Sequence, residues 1–265
     1  MPEAAGPLFV DSHCHLDCIK LDDFEDNFDI LIQRCLAAGV EHMLCVSIDM
    51  HKYPHMLEQA QRYPQVSVSA GVHPMAEQAE SIDVETLKGI ASNDKVVAIG
   101  ETGLDYYYNK GDTKWQQERF RAHIQCAVDL DKPVIVHTRD AGKDTLEILK
   151  QENADKCGGV IHCFTETMDF AEKALDLDFM ISFSGIITFR NAEALREVAR
   201  QVPDSHLLIE TDAPYLAPAP FRGKQNYPAH VKHVAQKLAD IRNTSIEHIA
   251  EVSKDNFYRI FNPCE

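Results

Sequence analysis

Val96-Val97-Ala98-Ile99-Gly100-Glu101 decides the fold. Five apolar or small residues run without polar alternation, then the run ends in a carboxylate. A continuous apolar run of this length marks a strand covered on both faces, as in a parallel sheet with helices on either side. Similar runs occur along the chain. They predict eight strands, at 8–13, 42–48, 66–71, 96–100, 134–137, 160–163, 179–183 and 207–210.

Helical periodicity fills the intervals. Phe24, Phe28, Leu31, Ile32, Cys35 and Leu36 share one face, and Gly39 follows as a stop. Phe120, Ile124, Ala127 and Val128 form a second stripe, and Ala194, Leu195, Val198, Ala199 and Val202 a third. The tail adds Val231, Val234, Ala235, Leu238 and Ile241, then Ile246, Ile249 and Ala250. Alternating strands and helices give an α/β fold, either a closed (β/α)8 TIM barrel or an open doubly wound sheet.

The polar residues favour the barrel. Strand after strand stays apolar until its C-terminal end. There the chain places Asp11-Ser12-His13-Cys14-His15, Gly71-Val72-His73-Pro74, Glu101, His137-Thr138-Arg139-Asp140, His162-Cys163-Phe164 and Glu210-Thr211-Asp212. A closed parallel barrel brings these ends to one mouth, where barrel active sites lie. An open sheet would spread them along an edge.

Size and composition fit one domain. The chain has 265 residues, 45% of them hydrophobic, and no Ser/Gly/Pro-rich linker or internal repeat. A single domain over 1–265 is therefore expected. The acidic, Pro-broken start has no basic segment followed by a long apolar one, and no apolar run approaches the ~20 residues of a membrane span. Eight scattered cysteines form no CxxC pair. Reduced thiols in a cytoplasmic enzyme are the expectation. The formal net charge of −16 argues against gripping a long duplex through a basic surface. It does not exclude a nucleic-acid substrate, because bound cations supply local positive charge. No obligate protein partner is evident.

Period two sends His13 and His15 to one side of their strand and Cys14 to the other. Two imidazoles so placed can chelate a cation, and Cys14 reads as a packing thiol. Glu101 at the end of an apolar strand needs a partner. Two cations would supply it, with Glu101 bridging them; a salt bridge to Arg139 is the alternative. His137 and His162 end adjacent strands and suit a second cation. Asp212 suits a ligand that also takes a proton from the attacking water. His42, His51, His55, His123, His206, His230, His233 and His248 lie away from the strand ends and read as surface or capping residues.

Taken together, these motifs, with Gly100-Glu101-Thr102-Gly103-Leu104-Asp105 and Asp212-Ala213-Pro214-Tyr215, resemble the TatD family of metal-dependent deoxyribonucleases, one of the amidohydrolase-like barrels. The resemblance runs from about Phe9 to Phe261. It implies His13, His15, Glu101, His137, His162 and Asp212 as metal ligands, with Asp212 and Glu101 catalytic. One cation would take His13 and His15, the other His137 and His162. Ala213 stands where many members carry serine, which removes a hydroxyl behind the metal. Glu101 stands where many amidohydrolases use a carboxylated lysine.

His73, Arg139, Arg222 and Lys224 are candidate substrate contacts. Arg222-Gly223-Lys224 lies in a Pro-rich loop beyond Asp212 and suits a phosphate clamp. Tyr106-Tyr107-Tyr108 follows the fourth strand, where rings can stack a base or pack the loop. The expected reaction is phosphodiester hydrolysis in DNA, at ends or in short single strands, with two divalent ions (Zn, Mn, Mg or Ni). A metal-dependent ester or amide hydrolase, such as a D-aminoacyl-tRNA deacylase, is the second reading. A non-catalytic metal-stabilised barrel is the third.

Overall fold

The computed structural model describes residues 6–77 and 81–263. Eight strands lie in sequence order in one sheet, every neighbouring pair parallel. They are β1 (Phe9–Cys14), β2 (Val40–Cys45), β3 (Val66–Ala70), β4 (Val96–Asp105), β5 (Val134–Arg139), β6 (Gly159–Ile161), β7 (Phe179–Phe183) and β8 (Leu207–Ile209). The helices are α1 (Phe28–Ala37), α2 (Tyr53–Gln61), α3 (Val84–Ala91), α4 (Lys114–Leu130), α5 (Gly142–Gln151), α6 (Met168–Leu175), α7 (Glu193–Gln201), α8 (Val231–Arg242) and α9 (Ile246–Phe261).

The sheet closes between its first and last strands. A parallel bridge joins Cys14 to Ala213. His15 N donates to Ala213 O at 2.7 Å and Asp212 N to His13 O at 2.9 Å. Ser12 Oγ adds a bond to Ile209 O at 2.9 Å. The open doubly wound alternative is thereby set aside.

Two apolar layers follow from the two faces of each strand. The inner one gathers Val10, Leu44, Val97, Ile135, Val160, Met180 and Leu208, with Phe257 and Phe261 of α9 packed against them. The outer one joins Met43, Val66, Val134 and Ile181 to helix residues such as Leu31, Phe120 and Leu195. The polar strand ends therefore sit above a filled barrel.

Most strand ends shift by one to three residues, and two expectations change by more. The helix read from Phe24 is a short 3-10 turn at Asp22–Phe24, two left-handed residues (Glu25 and Asp26), and then α1. Asn27 sets that start, because its side chain accepts the Asp29 N–H and caps the first turn. The strand read as ending at Gly100 runs on to Asp105 as β4. Gly100 and Gly103 have φ of +142° and +133°, so they resemble a turn in sequence yet remain in the strand. A Cβ on Gly103 would lie 2.0 Å from His137 O; only glycine lets β4 approach β5 this closely.

Candidate active site

β1 delivers its two imidazoles as a pair. His13 Nε2 and His15 Nε2 are 3.3 Å apart. His15 Nδ1 donates to Val46 O at 2.8 Å, which turns Nε2 toward its neighbour. Cys14 points away, its Sγ 3.4 Å from Leu44 O. Burial pushes that thiol well above its usual range, as expected of an inert packing group.

Glu101 occupies the centre, and its two oxygens face different partners. Oε2 lies 3.3 Å from His13 Nε2 and 3.8 Å from His15 Nε2. Oε1 lies 3.1 Å from His73 Nε2, 3.2 Å from His137 Nδ1 and 2.8 Å from His162 Nε2. Asp212 Oδ1 is 3.3 Å from His15 Nε2 and 3.8 Å from His13 Nε2. Burial alone would raise the Glu101 carboxyl, but the imidazoles of His162, His73, His13 and His137 hold it well below the usual range. Burial likewise opposes charge on His15, yet the adjacent Asp212 lifts that imidazole to about 9.

The donor set fits divalent cations. Three overlapping groups have ligand atoms close enough to share an ion: His13, Glu101 and His162; His13, His15 and Asp212; and His73, Glu101 and His137. His162 Nε2 is buried without an aligned hydrogen bond, despite its 2.8 Å approach to Glu101. A buried nitrogen so oriented suits coordination better than hydrogen bonding.

Three residues belong here that sequence reasoning placed elsewhere or passed over. The sequence suggests His73 as a substrate contact, yet its ring reaches Glu101 as closely as His137 does. Asp105 Oδ2 accepts from His137 Nε2 at 3.3 Å and so sets which nitrogen turns to Glu101. Glu210, fully buried, accepts from His162 Nδ1 at 3.3 Å and from Cys163 N at 2.8 Å. The motif at 100–105 contains Asp105, but a strand read as ending at Gly100 assigns it no face.

One face of α4 braces this ring. Gln116, Arg119 and His123 are buried at i, i+3 and i+7. Gln116 accepts the Asp105 N–H at 3.0 Å and donates to Pro74 O at 3.0 Å. Arg119 donates to the carbonyls of His73 and Ala76, at 3.0 and 3.1 Å. His123 Nε2 accepts the Val72 N–H at 3.0 Å, and its Nδ1–H donates to Arg119 O at 2.8 Å. The reading of His42, His123 and His230 as surface residues is corrected, because all three are buried. Each has an internal partner: Ser67 for His42, Val72 N for His123 and Asn226 for His230.

The cationic candidates lie further out. Arg139 makes no ion pair with Glu101; its guanidinium stacks 4.0 Å from the Tyr107 ring and 4.9 Å from Tyr108. Arg222 lies 3.6 Å over the Phe189 ring and donates to Ala217 O at 3.4 Å. Lys224 is exposed on the same loop. Tyr106 is tied down through its hydroxyl to Asp144, whereas Tyr107 and Tyr108 are exposed.

A parallel barrel whose C-terminal mouth gathers imidazoles around a buried carboxylate defines a metal-dependent hydrolase. Residues 10–262 match the model of the TatD related DNase family, and the chain belongs to that family. It is 50% identical over 255 residues to the Escherichia coli K12 protein named uncharacterized metal-dependent hydrolase YcfH, covering 96% of each chain. It is 34% identical over 244 residues to the 3'-5' ssDNA/RNA exonuclease TatD of Citrobacter koseri, covering 90% of this chain and 94% of that one. The crystal structure of YJJV, a TatD homolog from Escherichia coli K12, superposes with a TM-score of 0.87 at 29% identity, over 96% of this chain and 98% of that one. Among the described residues no helix is long and apolar enough to cross a membrane.

Proposed function

We propose that the protein is a two-metal deoxyribonuclease acting on DNA ends or short single strands. The division of Glu101 carries this reading, with Oε2 toward His13 and His15 and Oε1 toward His73, His137 and His162. His13, His15 and Asp212 would hold one cation, and His137 and His162, with His73 beside them, the other; Glu101 would be shared. A nitrogen-rich set suits zinc, manganese or nickel, and magnesium can still support turnover. Bound there, such cations would supply Lewis acidity to the phosphoryl group and to a water molecule.

The side chains then have distinct tasks. Asp212, more open to the mouth than Glu101 (14% against 3% exposed), takes the proton from the attacking water. Asp105 and Glu210 hold the His137 and His162 rings in place. Arg139, Arg222 and Lys224 put positive charge on the rim of a chain whose net charge is −16, which favours a phosphate-bearing substrate. The exonuclease name of the Citrobacter relative supports the choice of strand ends. The chain works as one domain over 1–265, with no obligate protein partner. Seven cysteines are free thiols, which supports a reducing cytoplasm, and Cys264 lies outside the described residues.

The test is nucleotide release from short single-stranded DNA labelled at either end. Metal-stripped protein is assayed with Mg²⁺, Mn²⁺ or Zn²⁺ restored, beside a Glu101→Ala control. Metal-dependent release that the control lacks is expected. No release under any metal would overturn the nuclease reading and redirect it to ester and amide substrates such as aminoacyl-tRNA.

A further inference from the structure

Few large apolar or aromatic side chains of the described residues are exposed, and they are not scattered. Of Leu8, Leu36, Met75, Tyr107, Tyr108, Tyr215 and Tyr258, four (Met75, Tyr107, Tyr108 and Tyr215) lie on loops leaving the C-terminal ends of β3, β4 and β8. The exposed tyrosines of the mouth stand on two sides. Tyr215 follows β8, beside the β8–β1 closure, with its ring centroid 6.1 Å from that of His15. Tyr107 and Tyr108 follow β4 and stack with Arg139 of β5. In an eight-stranded barrel of order β1 to β8, the β8–β1 seam lies opposite the β4–β5 seam. The metal-competent ring lies between them.

We propose that Tyr215 on one side, and Tyr107 and Tyr108 with Arg139 on the other, are two stacking posts for the nucleobases that flank the phosphodiester under attack. The assignment rests on the nuclease reading and deepens it, by making the substrate a single strand with accessible base faces.

Three observations support it. The rings are open, at 52% exposure for Tyr215, 45% for Tyr107 and 57% for Tyr108, so each keeps solvent-facing surface for a planar group even with Arg139 over the Tyr107 ring. Each post is also tied to the ring of ligands by one backbone bond. Tyr215 N donates to Asp212 O at 2.9 Å. Tyr108 N donates at 2.9 Å to Oδ1 of Asp105, whose Oδ2 meets His137. The backbone beneath each post is therefore held at a set position relative to the ligands. The chemistry of one post is moreover that of a nucleotide. Arg139 lies 4.0 Å from the Tyr107 centroid and Lys110 lies 5.9 Å from it, so cations accompany the aromatic surface. A ring for the base beside cations for the next phosphate is the pairing that single-strand binders use. Inside a duplex both faces of a base are taken by its neighbours, so two posts can be filled only by unstacked nucleotides.

The test is fluorescence anisotropy with the full-length, metal-loaded protein. The probes are a short labelled single-stranded DNA with phosphorothioate linkages that slow turnover, an abasic backbone of the same length and linkage, and a blunt duplex. Wild type is expected to prefer the base-bearing strand over both others. Tyr215→Ala, and the Tyr107→Ala, Tyr108→Ala pair, are each expected to weaken the base-bearing strand roughly 5- to 150-fold. Binding of the abasic backbone should stay unchanged, and the phenylalanine variants should restore affinity. Equal wild-type binding of base-bearing and abasic strands overturns the posts. So does an alanine loss that is the same for both probes, or a duplex bound as tightly as the single strand. The nuclease reading is judged separately by nucleotide release. Release without base-dependent binding removes the posts alone; absent release with base-dependent binding removes the nuclease reading and, with it, the placement of the bases about an attacked phosphodiester, leaving only a single-strand binding surface.

Discussion

His123 couples the stability of the barrel to the placement of the His73 loop, and acid should break that link. Its Nε2 accepts the Val72 N–H, so the neutral ring carries its proton on Nδ1, which donates to Arg119 O. A second proton on Nε2 would face an N–H donor inside a buried site. Burial accordingly pulls this imidazole from its ordinary 6.5 down to about 4. The sign follows from which state binds the proton. Above pH 7 neither state is charged and stability is unaffected. Below 6.5 the unfolded chain takes up the proton while the native one does not, so stability falls until native His123 itself titrates near 4. At 1.36 kcal/mol for each pH unit, the full loss is about 3.4 kcal/mol, of which about 2 kcal/mol has been lost by about pH 5. The assay is urea denaturation of chelated protein between about pH 7.5 and about pH 5, wild type against His123→Gln. The glutamine keeps an acceptor for Val72 and cannot titrate, so wild type should lose about 2 kcal/mol more than the variant. Parallel stability profiles for the two proteins would refute the argument. His42 and His230, also held near 4 by burial, should steepen the loss in both proteins alike.

Three further outcomes are expected. Asp212→Asn should lower kcat by about 10²- to 10⁴-fold while metal content, read by atomic emission, is largely retained; full activity would remove Asp212 from proton transfer. Glu210→Ala takes away the acceptor of His162 Nδ1 and Cys163 N, and titration calorimetry should show metal affinity about 10- to 100-fold weaker. Gly103→Ala drives a Cβ to 2.0 Å from His137 O at a φ of +133°. It should cost about 2–5 kcal/mol, seen as a Tm lower by about 5–15 °C, and an unchanged Tm would mean that β4 does not need glycine there.

Legibility in the sequence followed the range of the interaction. β7 was read at 179–183, the bounds it has, because Phe-Met-Ile-Ser-Phe is apolar on both faces and flanked by chain breakers. β4 was cut short because glycine and polar residues inside a strand look like a turn. The start of α1 is obscured in the sequence because Phe24 continues the apolar stripe, and only the Asn27 cap shows where the helix begins. Burial of His42, His123 and His230 is not legible, because nothing in their local sequence distinguishes a satisfied core imidazole from an exposed one. For two of them the partner lies far along the chain, 25 residues away for His42 and Ser67 and 51 for His123 and Val72.

The sequence by itself determined the alternation of strands and helices, the polar residue types at the strand ends, and the common orientation of His13 and His15. These follow from periods of two and 3.6 residues and from composition, which are properties of neighbouring residues. Tertiary structure decided the rest. It brought His73 to Glu101, split that carboxylate between two sets of imidazoles, paired Asp105 with His137 and Glu210 with His162, and stacked Arg139 on the tyrosines. Those contacts depend on how far each strand slides against the next as the barrel closes, and on where α4 packs. Neither is encoded by any single segment, because both are set by the sum of packing around all eight strands.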